Sequence, residues 1–187
     1  MSRKIKLALI IVLVVGTTLV LLNSFAEGEV HAKEEVLIEK DIEAVWEVMG
    51  SQYAQVHLWS SNFKASKPGG KPKLPGLDYL HRATQTTRGE TLQELDEFDP
   101  VHHSLSYHIT KGAPKIAKEA SGIWSLKSMG PEKTRVVLEF HMATKGVLGL
   151  VMIPLIKKNI GKAAAQIGEE LKYYMEKGKP HPRKVAS

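Results

Sequence analysis

The spacing of apolar residues along this chain changes three times, and each change marks a different kind of segment. Residues 7–22 have no alternation at all: sixteen positions in a row carry no charge, with Ile10, Ile11, Val12, Leu13, Val14 and Val15 consecutive. Residues 33–40 read as a first strand, and residues 42–49 follow with apolar positions 42, 45, 46 and 49 at helical spacing. Asp41 is placed to cap that helix by accepting from a first-turn amide, and Gly50 to stop it. A second short helix is predicted over 52–58. From Trp59 to Thr144 the period becomes two, with strands predicted at 61–66, 77–87, 90–98, 103–110, 120–128 and 134–144. Arg88-Gly89, Asp99-Pro100, Gly112-Ala113-Pro114 and Gly130-Pro131 separate them, and connections this short join antiparallel neighbours. In the last strand Val136, Leu138, Phe140 and Met142 take one face and Arg135, Val137, Glu139 and His141 the other. Met152, Ile156, Ile160, Ala163, Ile167, Leu171 and Tyr174 then recur at three- or four-residue steps, so one long C-terminal helix covers the apolar side of the sheet. Pro154 is expected to kink that helix or delay its first turn. The fold class is α+β.

Length and charge divide the chain. Its 187 residues hold one domain and a targeting segment. We assign residues 1–26 to a membrane anchor or signal peptide, 27–32 to a linker, 33–178 to the domain and 179–187 to a basic tail. Arg3, Lys4 and Lys6 precede the uncharged run, an arrangement that keeps the N-terminus inside and delivers the domain to the extracytoplasmic side. An uncleaved anchor is the preferred reading. Secretion after cleavage is the alternative, since Ser24-Phe25-Ala26 and Val30-His31-Ala32 present small residues where a signal peptidase reads. Setting the three leading cations aside leaves 23 basic against 20 acidic side chains, too mild a bias to imply nucleic acid. The absence of cysteine excludes disulfide scaffolds, thiolate nucleophiles and lipoprotein acylation. Oligomeric state is not readable from these patterns.

The order strand, two short helices, six strands, long helix is accompanied by recognisable residues: IEAVW at 42–46, GETLQELD at 89–96, LSYHI at 105–109, GIWSL at 122–126, TRV at 134–136 and LKYYMEKG at 171–178. Over residues 33–178 the sequence resembles the START/pollen-allergen-like superfamily, specifically its polyketide cyclase/dehydrase and lipid-transport group. That resemblance implies a helix-grip fold, a curved antiparallel sheet of about seven strands wrapped around the long helix, with a deep cavity between them for a hydrophobic ligand. Members range from carriers to cyclases, so the fold leaves the activity open.

Candidate site residues follow from strand parity and chemistry. None of the eight histidines sits in a metal-binding spacing, and we expect no metal and no cofactor. His103 shares parity with Leu105, Tyr107 and Ile109 and is expected on the inner face, with His108 outside. Glu94 has no assignable face; if it points inward it needs a partner, for which Arg82 on the neighbouring strand is the candidate. Tyr53, Trp59, Tyr107 and Trp124 are candidate cavity walls, because their rings suit apolar ligands and keep a polar handle. Residues 146–156 are apolar on every side apart from two glycines, more than one sheet surface needs. Leu148, Met152 and Ile156 are therefore candidates for a cavity mouth or a lipid contact, with Lys157, Lys158 and Lys162 placed to meet headgroups. Residues 67–77 and 111–115 suit mobile lids.

No nucleophile elbow, phosphate loop or dinucleotide fingerprint occurs. The expected role is non-catalytic binding or transport of a lipid-like or polycyclic hydrophobic molecule at the extracytoplasmic membrane face. The alternatives are a cyclase-like enzyme using polar wall groups and an accessory protein with no ligand.

Overall fold

The structure, a computed structural model, describes residues 23–186, so the uncharged run at 7–22 lies outside the described residues. Seven strands form one curved antiparallel sheet: β1 (Glu27–Ile38), β2 (Ala65–Gly69), β3 (His81–Thr86), β4 (Gly89–Asp99), β5 (Ser104–Lys111), β6 (Ala117–Gly130) and β7 (Lys133–Lys145). Their order, β1-β7-β6-β5-β4-β3-β2, is a six-strand meander with β1 added beside β7, and the sheet does not close. The long helix, Gly146–Lys177, packs across β1 and β7. This is the helix-grip arrangement.

Residues 27–32 are not a linker. They are the first half of β1, paired position by position from Glu27 opposite Lys145 to Ile38 opposite Thr134. The alternation that makes this a strand begins with Val30, which is buried with Ala120 and Met142 under Ile153, Ile156 and Ile160 of the long helix. The flanking charges concealed it. The strand expected at 61–66 is displaced to Ala65–Gly69, because residues 60–63 turn instead, Phe63 N–H donating to the Ser60 carbonyl. The strand expected from residue 77 begins at His81.

Asp41 caps the first short helix, Ile42–Trp46, its carboxylate accepting from Ala44 N–H at 2.8 Å. Gly50 does not stop that helix. A wider π-helical turn, Glu47–Ser51, carries on from it, and Gly50 is needed because a Cβ there would sit 2.4 Å from the Trp46 ring. A 3-10 segment, Tyr53–Leu58, completes the cover over β2 and β3.

The long helix starts at Gly146 and runs through Pro154 rather than beginning after it. No side chain of its own caps the start. Asn23 does so from outside, its side-chain oxygen accepting from Val147 N–H, while Gly146 N–H donates to the Ala26 carbonyl. Gly178, in the left-handed region at φ 65°, ends it by donating to the Tyr174 carbonyl. The last residues are not a free basic tail. A short turn of helix, Pro182–Val185, returns along the long helix, where Arg183 binds Glu169 and Glu170 and His181 packs edge-on to Tyr173. Two acidic groups one residue apart recruit this segment, which charge counting by itself does not reveal.

Candidate functional site

Strand β3 turns Arg82 and Thr84 inward, and Arg82 is completely buried. Its guanidinium lies 3.8 Å from the centre of the Tyr53 ring, 4.9 Å from Trp124, 5.4 Å from Phe63 and 5.6 Å from Tyr107. Tyr53, Tyr107 and Trp124 in turn contact one another with ring centres 5.9 Å apart. Gly122 makes room for this box, since a Cβ there would meet the Tyr107 hydroxyl at 2.6 Å. The short helical segment brings Tyr53, β5 brings Tyr107 and β6 brings Trp124, so four distant stretches of chain meet at one cation.

Among the described residues the cation has no carboxylate partner. Arg82 Nε donates to Gln93 Oε1 at 2.6 Å and Nη1 to the Tyr53 carbonyl at 2.8 Å. Nη2 is buried with no hydrogen bond, and so are the Tyr53 hydroxyl and the Trp124 indole N–H. Cation–π contacts are worth roughly 2 kcal/mol when desolvated, whereas burying a charge costs several kcal/mol per ion. Aromatic faces therefore do not settle the account. Burial pushes both phenols, Tyr53 and Tyr107, above their ordinary value, with the Arg82 charge opposing the shift. Guanidinium and indole nitrogens can only donate, and a protonated phenol donates too. What this box lacks is an oxygen acceptor, and an anionic one would also balance the charge.

A second buried charged group lies on the long helix. Glu170 is fully buried and accepts from Ser61 N–H at 2.8 Å, Ser61 Oγ at 2.6 Å, Gln166 at 3.3 Å and Arg183 at 3.2 Å. Its carboxylate is saturated, and it ties the helix to the 60–63 turn and to the C-terminal segment.

The sequence-predicted residues are distributed as follows. Tyr53, Arg82, Tyr107 and Trp124 come together, and Trp59 is buried in the same core. Glu94 faces outward opposite His81 and His108 and pairs with Lys73 at 3.3 Å. The inward neighbour of Arg82 on β4 is Gln93. The sequence left the face of Glu94 open, and β4 shifts register between Leu95 and Glu97, which leaves Asp96 and Glu97 both exposed. His103 is not on the inner face either. It precedes β5 at φ 52°, with its ring against Trp46 and bonded to Glu43 at 3.0 Å. His108 is on the outside, bonded to Asp96. On the long helix, Met152 and Ile156 are half-buried, and Leu148 points to solvent. Gln93 and Glu170 were missed; a carboxylate interrupting the Ile167-Leu171-Tyr174 stripe was the available sign of the latter.

The outer face of the sheet carries a separate feature, a concavity of about 700 Å³ lined by β1, β6 and β7 residues including Lys33, Ile123 and Glu139. At its edge His31 and His141 lie directly opposite each other in the register. With Glu29 they form a set whose ligand atoms all fall within 4.8 Å of one another. Two imidazoles and a carboxylate could hold a divalent ion, though ligand atoms around a tetrahedral zinc lie only about 3.3 Å apart. Spacing along the chain could not show this set, because it is made by pairing two strands more than a hundred residues apart.

Comparison with known proteins places the chain. Several solved structures share the fold at low identity. A START superfamily protein from Mycobacterium smegmatis matches with a TM-score of 0.64 at 14% identity, over 81% of this chain and all (100%) of that one. The protein XoxI from Bacillus cereus gives 0.63 at 16%, over 81% and 99%. The Zhui aromatase/cyclase from a Streptomyces species gives 0.57 at 16%, also over 81% and 99%. No curated protein matches the chain in sequence. The family of polyketide cyclases/dehydrases and lipid transport matches residues 29–176, most of the described chain, and the protein belongs to that family.

Proposed function

We propose that this domain binds a hydrophobic molecule carrying an oxygen acceptor, an acid or a carbonyl, with that oxygen directed at Arg82, Tyr53 and Trp124, and that it carries the molecule without transforming it. The observation behind this reading is the completely buried guanidinium whose Nη2 has no hydrogen bond and which has no counter-ion among the described residues. A carboxylate or enolate would accept from the guanidinium in the charge-assisted geometry it favours. Membership of a family named for cyclases, dehydrases and lipid transport supports a hydrophobic ligand.

Chemistry on that ligand would need a group able to take a proton. Arginine stays protonated, both phenols are held above their ordinary value by burial, and the buried carboxylate of Glu170 is engaged by four donors elsewhere. The box can orient and stabilise a negative oxygen but has no base of its own among the described residues. Carriage fits this set better than catalysis.

The uncharged run at 7–22 and the cations before it support a location at the extracytoplasmic membrane face, tethered, or secreted if the run is removed. Native mass spectrometry of the purified full chain, followed by solvent extraction, tests the binding reading. The expected result is a retained apolar molecule bearing an acid or carbonyl, lost in Arg82→Met. A chain that emerges empty from several preparations, or holds only plain hydrocarbon, rejects it.

A further inference from the structure

We infer that the first three turns of the long helix are the surface by which the domain lies on an anionic lipid bilayer. This rests on the tethered location proposed above and adds the face that meets the membrane. Six of the twelve exposed large apolar side chains of the described residues lie at this one end of the molecule: Phe25, Val147, Leu148, Leu150, Val151 and Leu155. Phe25 is 81% exposed and Val151 69%, values at which neither side chain gains from the domain's own core.

Position along the helix gives the face its polarity. Leu148, Val151, Leu155, Lys158 and Lys162 follow one another at three- and four-residue steps and so share a single stripe, all exposed. The opposite side, through Gly149, Ile153, Ile156 and Ile160, packs on β1 and β7. An ordinary surface helix would place polar residues along the outer stripe. Here the stripe is apolar for two turns and then basic, the order needed to sit among acyl chains and meet phosphate.

The chain itself brings the membrane to this stripe. Residues 23–26 are held against the helix start, Asn23 accepting from Val147 N–H at 3.1 Å and Ala26 accepting from Gly146 N–H at 2.7 Å. The mostly apolar stretch at 7–22 ends immediately before this clamp. A bilayer that takes up the run therefore lies beside Phe25, Leu148 and Val151 and not at the far end of the sheet.

Because the chain has no cysteine, single substitutions carry an environment-sensitive NBD label cleanly. The full chain is reconstituted into vesicles of phosphatidylcholine and phosphatidylglycerol with the label at Val151→Cys or, as a control, at Met129→Cys on the opposite end of β6. NBD at 151 should shift to the blue and be quenched by spin-labelled lipid, with 129 reporting water. Lys158→Gln/Lys162→Gln should weaken the contact by up to roughly 25-fold, about fivefold per cation near an anionic surface. Water-like emission at both positions in chains that float with the vesicles overturns the docking face and leaves the tether standing. Chains that do not float overturn the tether and the docking face together. A blue shift that lipid-borne quencher does not touch assigns the face to a second copy of the chain and overturns the proposal.

Discussion

The two halves of the long helix obey different rules. From Ala164 onward it behaves as a core element: Ala164, Ile167, Gly168 and Leu171 are buried, and even its one buried charge, Glu170, is matched by donors. Over the first half only Gly149 is buried, and apolar side chains occupy the solvent side as well as the packed side. One continuous helix thus carries a half whose composition its own fold explains and a half whose composition it does not. Apolar content alone does not identify a core; the match between apolar content and the surface available to cover it does.

The sharpest way to break this comparison is to truncate one side chain in each half. Leu171→Ala should cost about 2–5 kcal/mol by chemical denaturation, the usual loss for a buried leucine. Val151→Ala should fall within about 0.5 kcal/mol of the parent, as exposed substitutions do. Equal losses would mean that the first half is packed after all.

A smaller effect probes how the second half is tied down. Arg183→Ala removes a charged donor from buried Glu170 and should cost about 1–3 kcal/mol. It should also loosen residues 179–186, read as faster amide exchange there. A variant as stable as the parent, with unchanged exchange, would show that the C-terminal segment is held by something else.

Arg82→Met tests the uncompensated cation. Replacing an unpaired buried charge with an apolar side chain of similar volume should change stability by no more than about 1 kcal/mol, of either sign. A loss several times larger would mean that Gln93 and the Tyr53 carbonyl satisfy the guanidinium better than its free Nη2 implies.

The smallest expected effect is the pH dependence. The Arg183 hydrogen bond, followed by its charge, holds the Glu169 carboxyl below its ordinary value of 4.5, although burial opposes it. A depressed carboxylate contributes stability that is complete above the unfolded value and is lost as pH falls through the folded one. Burial first, then the Lys184 charge, holds His57 below its ordinary 6.5, so the unfolded chain takes up this proton before the folded one does. Acidification should therefore lower stability in two steps, one starting near 6.5 and one below 4.5. Arg183→Ala should shrink only the second step, to which Asp99, Glu176 and Glu35 also contribute, and a profile unchanged by that substitution would contradict the Glu169 assignment.

Much of the fold was legible in the residue pattern because it is written locally. Asp41 before an apolar helical run, two-residue alternation across 134–144 and the stripe from Met152 to Tyr174 each need only neighbours a few positions away. The errors fall where a local rule meets a distant partner. Residues 27–32 read as a linker, yet β7 recruits them as a strand edge. The face of Glu94 could not be assigned from the chain, and pairing with β3 puts Gln93, not Glu94, beside Arg82. His103 leaves its strand because the chain turns there at a positive φ to reach Glu43 and Trp46.

By itself, then, the sequence determined the helical and strand segments, the antiparallel layers and the surplus of apolar residues at 146–156, since backbone periodicity and side-chain polarity are properties of short stretches. Only the tertiary structure decided that Arg82 is buried without a carboxylate, that Glu170 closes the helix against the 60–63 turn, and that Asn23 sits at the start of the long helix. Each of these depends on groups brought together from far apart in the chain, and the energy of a buried charge is set by the partners that arrive around it rather than by its neighbours in sequence.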